Sequence, residues 1–153
     1  MRCGSCWAFS VAETWADGAC IQNLVDPSVI FSVQDILSCE SFMSGGCKGG
    51  QIKNAFDFVA YHGLVSEECM PYTSGNGTVA KCPPKTGSGD TRTCTAPAAA
   101  PVVSAAAVAW TPIKCTSRTT TMRTPDAIKK GVMALGSAAT GFSVFEDFMH
   151  YKV

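Results

Sequence analysis

Charge is what this chain has little of. Asp, Glu, Lys and Arg together make up 16% of its 153 residues, and 12 basic residues are matched by 12 acidic ones. That balance gives no argument for nucleic acid or anionic lipid as a partner. Long apolar runs are also missing. The nearest, Val102 to Trp110, is bounded by Pro101 and Pro112 and falls well short of the roughly 18 residues a membrane-spanning helix needs. Histidine is scarce, with only His62 and His150, and neither has the spacing of a metal ligand. No signal-peptide pattern is visible at Met1.

Cysteine is what the chain has in excess. Nine are present. In an oxidising compartment such a density reads as disulfides, in the cytosol as metal or redox chemistry. The odd number leaves at least one thiol unpaired. With 46% hydrophobic residues, the chain is long and apolar enough to bury a real core.

One stretch concentrates the chemistry: Cys3-Gly4-Ser5-Cys6-Trp7-Ala8-Phe9. From Trp7 onward, Trp7, Val11, Trp15 and Ala19 recur at helical spacing, with alanines between them. A helix running to about Asn23 is expected, entered through the permissive Gly4-Ser5 turn. Cys6 then lies in the first turn, where unpaired N–H groups and the helix dipole favour negative charge. A thiolate is the nucleophilic form of cysteine, so Cys6 is the candidate nucleophile. Cys3 and Cys6 also form a Cys-x-x-Cys pair at a helix start, which admits a thiol-disulfide redox module. Such modules place the motif directly after a strand, and none can precede residue 3. A structural zinc site lacks a second cysteine pair.

Other elements follow from capping and period. Ser32-Val33-Gln34-Asp35 opens a short helix with a capping-box pattern in which Asp replaces Glu. Ser44 to Gly50 is a glycine-dense loop, suited to close approach of an extended peptide backbone. Gln51 to His62 reads as a helix with Ile52, Ala55, Phe56, Val59 and Ala60 on one face and Gly63 past its end. Thr73 to Arg123 is rich in Gly, Pro, Thr, Ser and Ala and reads mostly as loops. Asn76-Gly77-Thr78 within it is a glycosylation sequon. Thr124-Pro125-Asp126 starts a helix to Leu135 that stops at Gly136, and Phe142 to Phe145 reads as a strand.

Residues 3–9 resemble the active-site signature of papain-like cysteine proteases. Phe31 to Cys39 is similar to that family's second helix, Gly46-Cys47-Lys48-Gly49-Gly50 to its glycine loop with Lys48 in place of Asn, and Cys69-Met70-Pro71-Tyr72 to its Cys-x-Pro-Tyr turn. Gly87 to Cys94 resembles the cathepsin B-like branch. The resemblance implies an α+β papain-like fold. Residues 1–123 would form the helical, disulfide-stapled left domain with a long loop region, and residues 124–153 the beginning of the β-rich right domain.

What the resemblance implies for function is a cysteine-type endopeptidase acting through a thioester, with Cys6 catalytic. Gly4, Ser5, Gly49, Gly50 and Ile52 would line the substrate site, Ile52 at the apolar pocket for the second residue before the scissile bond. No cofactor or metal is implied. The partners are peptide or protein substrates and an inhibitory propeptide, and the localisation is lysosomal, vacuolar or secreted. Paired histidines that confer carboxydipeptidase activity in cathepsin B are missing between Cys69 and Cys94. The resemblance implies a Cys3–Cys47 disulfide; Cys39–Cys94 is the next pair expected and Cys69–Cys82 follows by proximity along the chain, leaving Cys20 and Cys115 without partners. The family's oxyanion glutamine would lie shortly before Met1, and its catalytic histidine and asparagine in the second domain. His150 follows Cys6 at roughly the 130–150-residue separation of the family's histidine, but its surroundings, Asp147 to Lys152, match the end of a strand. His62 matches a surface position. The chain is therefore expected to be part of a longer enzyme, with little turnover alone; a non-catalytic, peptide-binding relative is the remaining alternative.

Overall fold

The computed structural model describes residues 2–40, 44–84, 92–94, 109–110 and 120–150. Gly87 to Thr91, Val102 to Val108 and Cys115 lie outside the described residues.

Helix α1 spans Cys6–Ile21 and buries Trp7, Ala8, Val11, Ala12, Trp15 and Ala19. These recur at three- and four-residue steps, so one stripe carries the core and the alanines let neighbouring helices approach closely. Gly18 does not stop the helix. Asn23 does, by taking a left-handed conformation (φ 54°), while Leu24 N–H returns to Ala19 O and Asn23 N–H to Cys20 O at 2.9 Å each. Those bonds satisfy carbonyls that a helix end otherwise leaves open.

Helix α2 (Val33–Cys39) is capped by Ser32, whose hydroxyl accepts from Asp35 N–H. The same hydroxyl donates to Met70 O at 2.6 Å, so the cap also ties α2 to the turn after Cys69. A short antiparallel bridge, Phe31 with Ser66, holds the approach to α2 against residues 65–67. Helix α3 (Ile52–His62) buries Ala55 and Val59 and ends at Gly63, whose φ is 75°. Helices α1, α2 and α3 pack on one another around Trp7, Val11, Trp15, Phe31, Ile36, Val59 and Leu64. A second cluster of Val65, Cys69 and Met70, with Cys39 and Cys94 against it, lies beside this core.

Strands β1 (Arg92–Thr93) and β2 (Ala109–Trp110) form an antiparallel pair, Arg92 opposite Trp110. Helix α4 (Pro125–Leu135) is capped by Thr124, which accepts from Ala127 N–H, and has Pro125 in its first turn. Ser137, just past its end, donates to Thr14 O at 3.4 Å and so reaches α1.

Two expectations need correction. Phe142 to Phe145 is not a strand: it is irregular, leads into a 3-10 turn at Glu146–His150, and leaves Phe142 and Phe145 each 74% exposed. Strand propensity is realised only against a partner ladder, and no described strand pairs with this segment. The second correction concerns two disulfides. The structure joins Cys39 to Cys82 (Cα–Cα 4.8 Å) and Cys69 to Cys94 (4.5 Å), not Cys39 to Cys94 and Cys69 to Cys82. Proximity along the chain misleads because Gln34 Oε1 accepts from Thr73 N–H at 2.9 Å and Ser74 N–H at 3.2 Å. Beyond that anchor the chain passes Arg2 at Gly77 and Gly46 at Val79 before it reaches Cys82, whose partner is Cys39.

Candidate active site

Cys6 is the first residue of α1, a free thiol with an exposed side chain. Trp7 and Ala8 behind it are buried at 4% and 0%, so the backbone that carries the thiol is anchored in the core while the sulfur faces outward. The preceding turn is held at several points. Cys3 is bonded to Cys47 with Cα atoms 4.3 Å apart, and Gly4 N–H donates to Cys47 O at 2.8 Å. A Cβ on Gly4 would stand 3.0 Å from that carbonyl, which explains glycine there. With Cys3 bonded to Cys47, the Cys3–Cys6 bond that a redox module would use is not formed.

The glycine loop is fixed to the same helix. Trp7 Nε1 donates to Gly46 O at 3.2 Å. A Cβ on Gly50 would come within 2.5 Å of Trp7 Cδ2 and Cε2, so only glycine lets this backbone lie on the indole. Gly45 N–H closes the loop on Gly49 O at 2.8 Å, and Gly49 adopts φ 112°, a conformation side chains rarely take. Gly4, Ser5, Gly49 and Gly50 are thereby gathered around the end of α1 that bears Cys6. Gly49 faces open space.

Ile52 begins α3 and packs partly buried against the core. It also lines a groove of about 940 Å³ between α3 and residues 120–141, with Phe56, Tyr61, Met122, Ile128 and Val132. Cys6 does not line that groove. His62 lies at the far end of α3, its ring 5.1 Å from Phe58 and 4.7 Å from Tyr61. His150, itself exposed, is the last residue of the Glu146–His150 turn.

Two residues central to the site's framework are not singled out by the sequence. Tyr72 Oη lies 2.9 Å from Ser5 Oγ, its ring meets Phe9 edge-on at 5.2 Å, and its N–H donates to Glu67 Oε1 at 2.7 Å. Glu67 is partly buried there, and desolvation holds its carboxyl above the usual range, offset in part by that N–H. Gln34, fully enclosed, gathers the backbone of Thr73 and Ser74. The Cys-x-Pro-Tyr pattern marks Tyr72's position but not its contact with Ser5, 67 positions away.

A family model described as papain family cysteine protease matches residues 1–153. Among curated proteins, cathepsin B of Dictyostelium discoideum is 32% identical over 99% of this chain and 46% of its own length. Cathepsin B-like cysteine proteinase 3 of Caenorhabditis elegans is 34% identical over 98% of this chain and 41% of its own length. The chain thus spans about half the length of the curated relatives it matches or somewhat less. Among solved structures, the proform of the ragweed pollen cysteine protease Amb a 11 is 33% identical, covering 52% of this chain and 23% of that one, at a TM-score of 0.46.

Proposed function

This chain belongs to the papain family of cysteine proteases, and we propose that it carries the nucleophile-bearing, helical half of a cathepsin B-like endopeptidase. The single observation that carries the reading is the free, exposed Cys6 thiol at the start of a helix whose inner stripe is buried, with Cys3 nearby bonded into the glycine loop. In the reaction, Cys6 Sγ attacks the carbonyl carbon of a peptide bond. The S–C bond forms, the C–N bond breaks, and the amine leaves with a proton from a general acid. Water then cleaves the thioester and regenerates the thiol. Gly49 and Gly50 receive the substrate backbone, Gly4 and Ser5 shape the site beside the thiol, and Ile52 offers an apolar wall to a substrate side chain. Neither His62 nor His150 serves as the base, so this chain alone turns over slowly.

Residues 1–123 constitute the left domain and residues 124–153 the start of the right domain in this reading. The exposed Ile128, Val132 and Met133 of α4 support it, because an apolar helix face of that kind is usually covered. The three disulfides among the described residues support an oxidising compartment. Lysosomal, vacuolar or secreted localisation is the finer proposal, and so is an inhibitory propeptide over the site.

The test has two arms. In the first, the protein is treated with limiting iodoacetamide and its cysteine peptides are quantified by mass spectrometry. Cys6 should label faster than Cys20, and equal rates would overturn its role as nucleophile. In the second, peptide hydrolysis is compared between the protein and its C6A variant. Efficient, Cys6-dependent turnover would show that the base is already present and return His150 to candidacy.

A further inference from the structure

Ser5 occupies the N-cap position of α1, yet its hydroxyl caps nothing. The serine and threonine caps of the other α-helices behave differently: Ser32 accepts from Asp35 N–H and Thr124 from Ala127 N–H, both from extended backbone. Ser5 has φ −99° and ψ 8°, is 5% exposed, and has Oγ 2.9 Å from Tyr72 Oη. Its carbonyl takes Ala8 N–H at 2.9 Å and Phe9 N–H at 3.1 Å. Among the described residues, the N–H groups of Cys6 and Trp7 are left without an acceptor. A serine cap ordinarily receives the N–H of the second or third helical residue, here Trp7 or Ala8.

We infer that Tyr72 is a positioning residue for the Cys6 thiol, holding the Ser5 hydroxyl away from the first turn of α1. The inference rests on the reading of Cys6 as nucleophile and deepens it. With the cap diverted, the partial positive charge of the open N–H groups faces the sulfur undiminished. Tyr72 can do this because it is itself held: its ring by Phe9, its N–H by Glu67, and the following Thr73 N–H by Gln34. Without the phenol oxygen, Ser5 is free to turn from ψ 8° to the extended backbone of the Ser32 and Thr124 caps, which brings Oγ onto Trp7 N–H and reduces the field at Cys6.

The experiment measures iodoacetamide labelling of the Cys6 peptide at pH 6 and at pH 9 in the wild type, Y72F, S5A and the S5A/Y72F double variant. Y72F should slow labelling about three-fold at pH 6, the size expected of a first-turn dipole interaction, and leave the pH 9 rate nearly unchanged. The double variant has no hydroxyl to swing, so it should return to the rate of S5A. The charged groups of the surrounding elements, Arg2, Glu13, Lys48 and Glu67, are the same in all four proteins. Equal slowing at both pH values would mean that Tyr72 acts only by packing, and slowing that persists in the double variant would mean that the Ser5 hydroxyl is not involved; either overturns the inference. Amide exchange in the wild type gives an independent check: Cys6 and Trp7 N–H should exchange fast, and protection there overturns it even if Y72F misfolds. If Cys6 labels no faster than Cys20 in the wild type, the failure lies with the nucleophile assignment instead.

Discussion

The backbone of Gly50 lies flat on the indole of Trp7, so close that a Cβ on Gly50 would sit 2.5 Å from two of its ring carbons. Trp7 is the residue after the candidate nucleophile and is itself buried in the core. The glycine loop and the Cys6 turn are therefore packed directly on each other through Trp7. Any change that lifts Gly50 must shift either the loop or the start of α1.

Gly50→Ala should lower stability by about 2 kcal/mol, the usual size of an overpacking penalty, and perturb the near-ultraviolet circular dichroism of tryptophan. Gly49→Ala meets no atoms but must hold φ 112°, at a penalty of about 1–3 kcal/mol. The two variants are separated by their spectra. Gly49→Ala should leave the tryptophan signal in place, and an unaltered signal in Gly50→Ala would contradict the packing described above.

Much of this arrangement is legible in the sequence, and the legible parts share a property: they are local. The α1 stripe, the Ser32 and Thr124 caps and the Gly63 stop are each written within one or two turns of chain. Cys6 at the head of a helix is equally local. What escapes is set by distant partners. The Cys39–Cys82 and Cys69–Cys94 bonds depend on Gln34 turning the chain at Thr73, and nothing in the pattern of α2 shows that a glutamine there is fully buried. The strand expected at Phe142 has the right composition but no described strand to pair with. The Ser5–Tyr72 contact joins two segments that are each ordinary when read separately.

Digestion of the unreduced protein should release Cys39 linked to Cys82 and Cys69 linked to Cys94, identified by peptide mass before and after reduction. Replacing both Cys69 and Cys94 by serine should destabilise the protein by about 2–4 kcal/mol, since that bond closes the second buried cluster. Recovery of a Cys39–Cys94 peptide would contradict the chain path from Gln34 onward.

Ser32 combines two roles in one buried hydroxyl, accepting from Asp35 N–H at 3.0 Å and donating to Met70 O at 2.6 Å. Ser32→Ala should therefore lower stability by about 2 kcal/mol, more than loss of an exposed cap. Ser32→Thr preserves the oxygen and should recover part of the loss. Chemical denaturation with the slope held constant reads both.

Glu67 makes stability depend on pH in an unusual direction for a carboxylate. Burial beside the Tyr72 turn raises its folded value above the 4.5 of an unperturbed side chain, with the Tyr72 N–H opposing in part. The folded state thus holds the proton more tightly than the unfolded chain does. Its contribution is fully present below about pH 4.5 and is lost as the pH rises through the folded value. Glu67→Gln retains an oxygen for Tyr72 N–H and carries no charge to desolvate. The variant should melt at a higher temperature than the wild type at pH 7, and the two melting curves should converge below about pH 4, where the carboxyl is neutral in both states. A variant that is less stable at pH 7 would mean that the charged hydrogen bond to Tyr72 outweighs desolvation, reversing the order of the two causes.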